Sequence, residues 1–253
     1  MVSPINNKIP RISLEELKTF SGSDEKVTMI YLVRHGQSFG NIKHYDVKYV
    51  QGQSPQFPLT KKGERQAIQL TEQMVPRMKG LNPILVTSTA KRAIDTAQPL
   101  ACCLQRTTTA YKEFLELGSG EWEGVSKEDP GYKAEYGKWQ NLSANQKFST
   151  PKVSTGESYS ETALRALNGL SQVLSQVKEN ETVFLFSHYM LMNAVILSLT
   201  PTELSLERTT PLPECSIENG DIISIEIPRG ASVDQGRIVS IINSNLKSNL
   251  EDS

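Results

Sequence analysis

The chain has 253 residues and a formal net charge of −1, with acidic and basic residues mixed along its length. This length suits one α/β domain with a substantial core, and the balanced charge argues against a nucleic-acid-binding face or a charged tail. The three cysteines, two of them adjacent, match neither a zinc site nor a disulfide scaffold, which favours a reducing compartment. Because no stretch predicts a signal peptide or a membrane anchor, we expect a cytoplasmic protein.

The chain opens with an extension, residues 1–26, in which Ser13 and Glu16 form a capping-box pattern that predicts a short helix. The apolar, β-branched run VTMIYLV at residues 27–33 then predicts a strand buried on both faces. Two similar runs follow, PILVTS and ETVFLFS, and each of these strands leads into a helical pattern. Strands that alternate with helices predict a three-layer α/β sandwich, with a mostly parallel central sheet and helices on both faces.

The remaining segments complete a single domain over residues 27–253. Ser158 and Glu161 form a capping box before an amphipathic helical pattern. The runs DIISIEI and GRIVSII flank a turn-rich segment and predict a hairpin at a sheet edge. Residues 124–156, rich in Lys, Tyr, Pro and Gly, have no sustained period. This insertion is either a lid or substrate-selecting segment, or a surface excursion without functional importance.

Polar side chains follow the three buried strands at the point where each strand ends. Arg34 and His35 follow the first, a segment from Ser88 to Arg92 follows the second, and Ser187 and His188 follow the third. Ligands of open α/β sheets bind at the carboxyl ends of the strands, where the loops meet. We therefore expect these groups to converge on one cleft.

Two imidazoles and two guanidiniums in one cleft suit a dianionic phosphoryl group. Arginine binds phosphate oxygens with two parallel donors, and a helix N-terminus adds backbone N–H groups. Phosphoryl transfer needs positioning, charge stabilisation and a nucleophile, and His35 has the chemistry of a nucleophile. No Asp-rich or His-x-x-x-His pattern indicates a metal site, so we expect neither a metal nor a cofactor.

The order of these segments resembles that of a known family. RHGQSFGN, residues 34–41, is similar to the Arg-His-Gly motif of the histidine phosphatase superfamily, the phosphoglycerate mutase-like proteins. Segments similar to those of the family follow in its order: PLTKKGERQA, TSTAKRAIDTA, LELGSGEWEG, GESYSETALR and LFSHYML. The resemblance spans residues 29–243 and implies the phosphoglycerate mutase-like fold.

The resemblance also implies site residues. His35 would become phosphorylated, and Glu116 matches the general acid that protonates the leaving oxygen and then activates water. His188 would be the second catalytic histidine, although Tyr189 follows it where the family usually has glycine. The residues that would hold the phosphoryl oxygens are Arg34, Asn41, Arg92 and His188.

The chain is more similar to the mutase-like branch of the family than to the phytase and acid phosphatase branch. Ser38 and Tyr189 stand where the latter branch has an arginine and an acidic aspartate, and tyrosine, with an ordinary pKa of about 10, is a poor acid at neutral pH. After Glu116, residues 117–120 are small and neutral, where phosphoglycerate mutases usually have a basic, aromatic segment. This difference favours hydrolysis over isomerisation.

Three functions stay open, in this order. The first is a metal-independent phosphoric monoester hydrolase, acting through a phosphohistidine on a phosphorylated small molecule or phosphoprotein, with no nucleic-acid or membrane partner. The second is a phosphoglycerate-type mutase, to which lysines of the insertion at 124–156 would supply substrate contacts. The third is an inactive phospho-ligand-binding or protein-interaction module, which the presence of Tyr189 keeps open.

Overall fold

The fold consists of a central sheet and its surrounding helices. A computed structural model describes residues 9–43, 47–55, 57–200 and 212–246. The strands are β1 (Arg11–Ser13), β2 (Val27–Arg34), β3 (Asn82–Ser88), β4 (Thr108–Tyr111), β5 (Glu181–Ser187), β6 (Ile222–Pro228) and β7 (Arg237–Asn243). The α-helices are α1 (Lys61–Met74), α2 (Lys91–Leu104), α3 (Pro130–Gln140), α4 (Ala144–Ser149), α5 (Tyr159–Leu174) and α6 (Tyr189–Leu199). None of these helices is long and apolar enough to cross a membrane.

The seven strands form one sheet in the order β1-β7-β6-β2-β5-β3-β4. Strands β2, β5, β3 and β4 pair in parallel, while β6 is antiparallel to both β2 and β7. The prediction of a mostly parallel sheet is confirmed. The three strands that carry the predicted site residues, β2, β5 and β3, are direct neighbours, so their carboxyl ends lie side by side.

Alternate side chains of β2 point into two hydrophobic cores, one on each face of the sheet. Tyr31 and Val33 pack in the core formed with α1 and α2, whereas Ile30 and Leu32 pack in the core formed with α5 and α6. A strand covered on both sides must be apolar at every position, which explains its continuous hydrophobic run. The predicted three-layer sandwich is confirmed.

The N-terminal extension contributes an edge strand, and the helix predicted after Ser13 is wrong. Strand β1 pairs in parallel with β7, so the predicted hairpin of β6 and β7 has β1 on its outer side. The chain then makes a single turn, in which Ser13 O accepts from two backbone N–H groups. Leu14 and Phe20 are buried, and the Phe20 ring lies 4.9 Å from that of Tyr31. Burial of these two side chains outweighs the local preference for a helix.

The insertion at 124–156 folds into α3, α4 and a following loop. Its aromatic side chains stack along one side of α3, with ring centroids 5.8 Å apart for Tyr132 and Tyr136 and 5.7 Å apart for Tyr136 and Trp139. Trp139 Nε1 donates to Thr150 O at 3.0 Å, which ties the loop to the helix. The insertion therefore has defined structure of its own, and its loop reaches the cleft described below.

Candidate active site

The register of β2 against β5 brings the two predicted histidines together. Arg34 is paired with Ser187, and His35 N–H extends the ladder by donating to Ser187 O at 3.0 Å. The next residue of each chain segment is a histidine, and the two rings lie 5.1 Å apart between centroids. Both side chains are buried.

The hydrogen bond made by His35 fixes which ring nitrogen carries the proton. His35 Nδ1 lies 2.6 Å from Gly36 O. Because a carbonyl oxygen accepts only, Nδ1 must be the donor, and in the neutral ring the Nε2 lone pair is then available. An imidazole held in this way presents a nucleophilic nitrogen in a constant orientation.

The two motifs that follow in the sequence support the His35 loop from behind. Gly36 N–H donates to Thr96 Oγ1 of α2 at 3.0 Å. A Cβ atom at Gly36 would lie 2.7 Å from Gly63 O of α1, too close for any side chain. Thr60, the N-cap residue of α1, donates its N–H to Gln37 O at 3.0 Å. The loop therefore depends on glycine at this close approach of two backbones.

Arg92 lies at the centre of the site rather than on the protein surface. Its side chain is 1% exposed, and Nε donates to His188 Nδ1 at 3.3 Å. The guanidinium also donates to Gly52 O at 2.9 Å and to Ser54 O at 3.2 Å. With His188 Nδ1 accepting, the neutral ring carries its proton on Nε2, which lies 2.9 Å from Ser88 Oγ. All three strand ends therefore contribute to one cluster, as predicted.

Arg34 and Asn41 each present a polar group that no described residue uses. The Arg34 guanidinium donates to Ile217 O and packs on the Tyr189 ring, with Cζ 5.1 Å from the ring centroid. Its Nε atom is buried and has no hydrogen-bond acceptor within the described part of the chain. Asn41 Oδ1 accepts from Ser38 N and Oγ, at 2.9 and 3.1 Å, which leaves the amide nitrogen as the group available to a ligand. Both residues thus offer donors, which suits an anion.

Burial and the nearby guanidiniums control the protonation of this cluster. Burial, reinforced by Arg92, holds the pKa of both His35 and His188 well below the ordinary value. The neutral imidazole is consequently the form present at pH 7, and it is the form with a lone pair to donate. Burial lowers the pKa of Arg92 to about 10, so that its guanidinium stays charged at neutral pH.

These lowered pKa values predict that the protein loses stability as the pH falls below about 6.5, the pKa expected for an unfolded histidine. Below that pH the unfolded state binds protons that the folded state does not, so the free energy of unfolding decreases. Each histidine should cost about 1.4 kcal/mol between pH 7.5 and 5.5. Urea unfolding at both pH values tests this, and the His35→Asn protein should show a smaller decrease. Equal stability of the natural protein at the two pH values would contradict it.

Glu116 is held at the N-terminus of α6, the helix whose N-cap residue is His188. Its carboxylate accepts from Leu191 N at 3.0 Å, Met190 N at 3.3 Å and its own neighbour Leu117 N at 3.0 Å. Backbone N–H groups at a helix start are natural partners of a carboxylate. Glu116 also lines a cleft of about 140 Å³ that Arg34 and Asn41 share. The carboxylate therefore lies in the same cleft as Arg34 and Asn41, a position that suits proton transfer to a ligand bound there.

Sequence reasoning did not assign a role to the residues that hold the Glu116 loop. The Arg165 guanidinium donates to three carbonyl oxygens of this loop, those of Glu113, Leu115 and Glu116. Arg165 also forms an ion pair with Glu157 at 2.7 Å, and Glu157 accepts from Gly118 N at 2.9 Å. Both residues belong to the segment GESYSETALR. The similarity of this segment to a family motif was the one sequence feature that could have indicated a role for them.

The side chain of Gln51 completes the surroundings of Arg92. In the amide orientation that satisfies its neighbours, Gln51 Oε1 accepts from Arg92 Nη1 at 3.2 Å and its nitrogen donates to Ser38 Oγ at 3.2 Å. Over residues 9–43, 47–55, 57–200 and 212–246, no three His, Cys, Asp or Glu side chains form a cluster that would hold a metal ion. The described site is therefore built from cationic and neutral donors around two histidines, with the Glu116 carboxylate in the adjoining cleft.

An α/β sandwich with histidines and arginines at adjacent strand ends is the arrangement that the structure shows, and comparison with known proteins identifies the family to which it belongs. Residues 30–226 match the histidine phosphatase superfamily (branch 1). The chain belongs to this family. A relative named "Probable phosphoglycerate mutase GpmB", from Cronobacter sakazakii, is 30% identical over 200 residues, which cover 76% of this chain and 84% of the relative.

Two solved structures illustrate the shared fold. A mycobacterial glucosyl-3-phosphoglycerate phosphatase superposes with a TM-score of 0.63 at 18% identity, covering 86% of this chain and 99% of that one. The phosphoserine phosphatase of Entamoeba histolytica, in complex with 3-phosphoglyceric acid, gives a TM-score of 0.63 at 24% identity, covering 87% and 98%. The phosphoglycerate mutase-like fold expected from the sequence is confirmed.

Proposed function

We propose that this protein is a metal-independent phosphatase that hydrolyses a phosphomonoester, of a small metabolite or a phosphoprotein, through a phosphohistidine on His35. The observation that carries the proposal is the hydrogen bond from His35 Nδ1 to Gly36 O, which leaves the Nε2 lone pair available inside a cationic pocket. The residues that hold the phosphoryl oxygens are Arg34, Asn41, Arg92 and His188. Donors fixed before the substrate arrives stabilise developing charge without reorganisation.

The reaction proceeds in two half-reactions. In the first, His35 Nε2 attacks the phosphorus, the ester P–O bond breaks, and Glu116 gives its proton to the leaving oxygen. In the second, Glu116 takes a proton from a water molecule, whose oxygen attacks the same phosphorus. The P–N bond then breaks, inorganic phosphate leaves, and His35 and Glu116 return to their starting states.

A phosphoglycerate-type mutase is the second candidate, because the 30% identical relative carries that name. The experiment that separates the two is incubation with 3-phosphoglycerate in EDTA. Release of inorganic phosphate supports the phosphatase, whereas conversion to a positional isomer without phosphate release supports the mutase. If neither reaction occurs and p-nitrophenyl phosphate is not hydrolysed either, the candidate that remains is an inactive binding module, for which the feature in favour is Tyr189. Its ring packs on Arg34 and its hydroxyl donates to Glu214, so neither of these contacts involves a histidine of the site.

The Glu116→Gln protein should slow hydrolysis most for esters with poor leaving groups. A general acid matters when the leaving oxygen is strongly basic and little when it is already stable as an anion. We expect a decrease of roughly 10²–10⁴-fold for an alkyl phosphate and a clearly smaller one for p-nitrophenyl phosphate. The rates of phosphate release from the two substrates test this. Equal slowing of both would indicate that Glu116 is not the acid.

A further inference from the structure

Tyr189, the first residue of α6, presents its aromatic face to an arginine of the site. Its ring lines the same cleft as Arg34 and Asn41. Arg34 Cζ lies 5.1 Å from the centroid of the ring. This separation is within the roughly 6 Å over which an aromatic face attracts a cation. The mechanism proposed above gives this tyrosine no role, although it touches one of the groups that would hold the phosphoryl oxygens.

The Arg34 guanidinium is held at one edge by a hydrogen bond and over one face by the ring. Its Nη1 donates to Ile217 O, while Nε is buried without an acceptor among the described residues. A hydrogen bond restrains one end of a long side chain, whereas a ring packed on the plane restrains its tilt. Because the five donors of a guanidinium are fixed relative to one another, holding the plane also fixes the direction of the unused Nε–H.

The ring of Tyr189 is itself held by a carboxylate. Its hydroxyl donates to Glu214 Oε2 at 3.2 Å, and Glu214 Oε1 accepts from the hydroxyl of Tyr159, a fully buried residue. Burial and the neighbouring carboxylate raise the pKa of Tyr189, so its hydroxyl keeps its proton and donates at neutral pH. The position of the ring is therefore set by contacts made before any ligand binds.

One chain segment, residues 214–217, supports both the ring and the arginine. Glu214 binds the tyrosine hydroxyl, and Ile217 O accepts from the guanidinium. The buried side chain of Asn193 ties this segment to α6, because its Oδ1 accepts from Cys215 N at 2.6 Å and its Nδ2 donates to Cys215 O at 3.2 Å. The relative position of the aromatic ring and the guanidinium thus depends on a single anchored segment.

We propose that Tyr189 is a positioning residue, which holds the Arg34 guanidinium in the orientation that binds the phosphoryl group, and that Glu214 holds Tyr189 in turn. The inference rests on the proposed function, because that function is what assigns Arg34 to the phosphoryl oxygens. A donor oriented in advance stabilises developing charge without reorganisation. The tyrosine that follows His188 therefore favours an active site and does not indicate an inactive module.

A double-mutant cycle tests whether Tyr189 acts through Arg34. Calorimetry measures the affinity for inorganic phosphate of the natural protein, Tyr189→Leu, Arg34→Gln and the double variant. Leucine keeps an apolar side chain and removes the aromatic face. We expect Tyr189→Leu to lower the affinity about 3- to 30-fold when Arg34 is present, the range of a cation–π contact. In the Arg34→Gln background the same change should lower it less than about 2-fold. The kcat/KM for p-nitrophenyl phosphate should follow the same pattern.

Two further variants separate positioning from stability. Tyr189→Phe keeps the ring and should retain more of the phosphate affinity than Tyr189→Leu. Leu199→Ala, at the other end of α6, removes a partly buried apolar side chain and should lower the free energy of unfolding without changing phosphate affinity. Equal losses from Tyr189→Leu in the two backgrounds, or no loss when Arg34 is present, would overturn the inference.

The binding and turnover measurements distinguish this inference from the proposed function. Hydrolysis by the natural protein without coupling between Tyr189 and Arg34 would overturn the positioning role alone. Coupling in phosphate binding without any hydrolysis would support the positioning role and count against the phosphatase. A natural protein that binds no inorganic phosphate would contradict both, because Arg34 would then have no phosphoryl group to hold.

Discussion

The His35→Ala protein should lose roughly 10⁴- to 10⁶-fold in kcat, because removing the nucleophile of a covalent mechanism eliminates the pathway rather than slowing one step. The structure gives this loss a specific cause. The ring of His35 is held by Gly36 O, which leaves the Nε2 lone pair unused, whereas the lone pair of His188 Nδ1 accepts from Arg92 Nε. Alanine leaves the surrounding donors in place but supplies no atom to carry the phosphoryl group.

The measurement is phosphate release from p-nitrophenyl phosphate in EDTA, followed by trapping of the phosphorylated protein in alkali, where phosphohistidine is stable. Mass analysis of peptides should locate the phosphate on His35 in the natural protein and find none in the variant. Thermal unfolding of both proteins checks that the variant is folded. Substantial turnover by His35→Ala would contradict the proposal, and no turnover by either protein would favour the mutase or the binding module.

The strands of the central sheet were predictable because burial on both faces demands a continuous apolar run. VTMIYLV, PILVTS and ETVFLFS correspond to β2, β3 and β5 almost residue for residue, and the helical pattern after the second coincides with α2. Their polar terminal residues indicated the site, since parallel neighbours end at one edge. The short strand β4 was not predicted, because its sequence TTAY carries no comparable apolar run.

Local signals were less informative where tertiary contacts compete with them. Ser13 and Ser158 each precede a glutamate by three residues, the same capping-box pattern. Ser158 does cap α5, with Glu161 completing the box, because the residues that follow repeat their apolar side chains at helical spacing. After Ser13, Leu14 and Phe20 are buried beside the sheet and the chain makes only one turn. A cap starts a helix only when a helical face exists to be buried.

The residues found in motifs lie near one another, whereas the sequence did not indicate which lysines of the insertion line the cleft. Arg92 and His188 touch although they are 96 residues apart in the chain. Lys152 belongs to the insertion, where no periodic pattern fixes which side chains face the cleft. Its placement depends on the stacking of Trp139 and on the hydrogen bond of that ring to Thr150, neither of which is encoded in a short motif.

Arg92→Ala should reduce kcat by about 10²–10³-fold. Removing one preorganised donor that stabilises the developing charge of the transition state typically costs roughly 3 to 4 kcal/mol. Arg92 is charged at neutral pH, is 1% exposed, and contacts His188 directly. The same change should also lower stability, because Gly52 O and Ser54 O lose their donor in a buried place. Arg92→Ala should therefore lower both kcat and the free energy of unfolding.

Separating the two effects requires a variant that keeps the charge. Arg92→Lys preserves the cation but not the two-pronged guanidinium, so its kcat should lie between those of Arg92→Ala and the natural protein. Rates measured at a temperature where urea unfolding shows all three proteins to be folded isolate the catalytic part. Arg65→Ala, on α1 outside the cluster, is the matched control and should retain the natural rate. A normal rate in folded Arg92→Ala would show that Arg92 has a purely structural role, which is to donate to Gly52 O and Ser54 O.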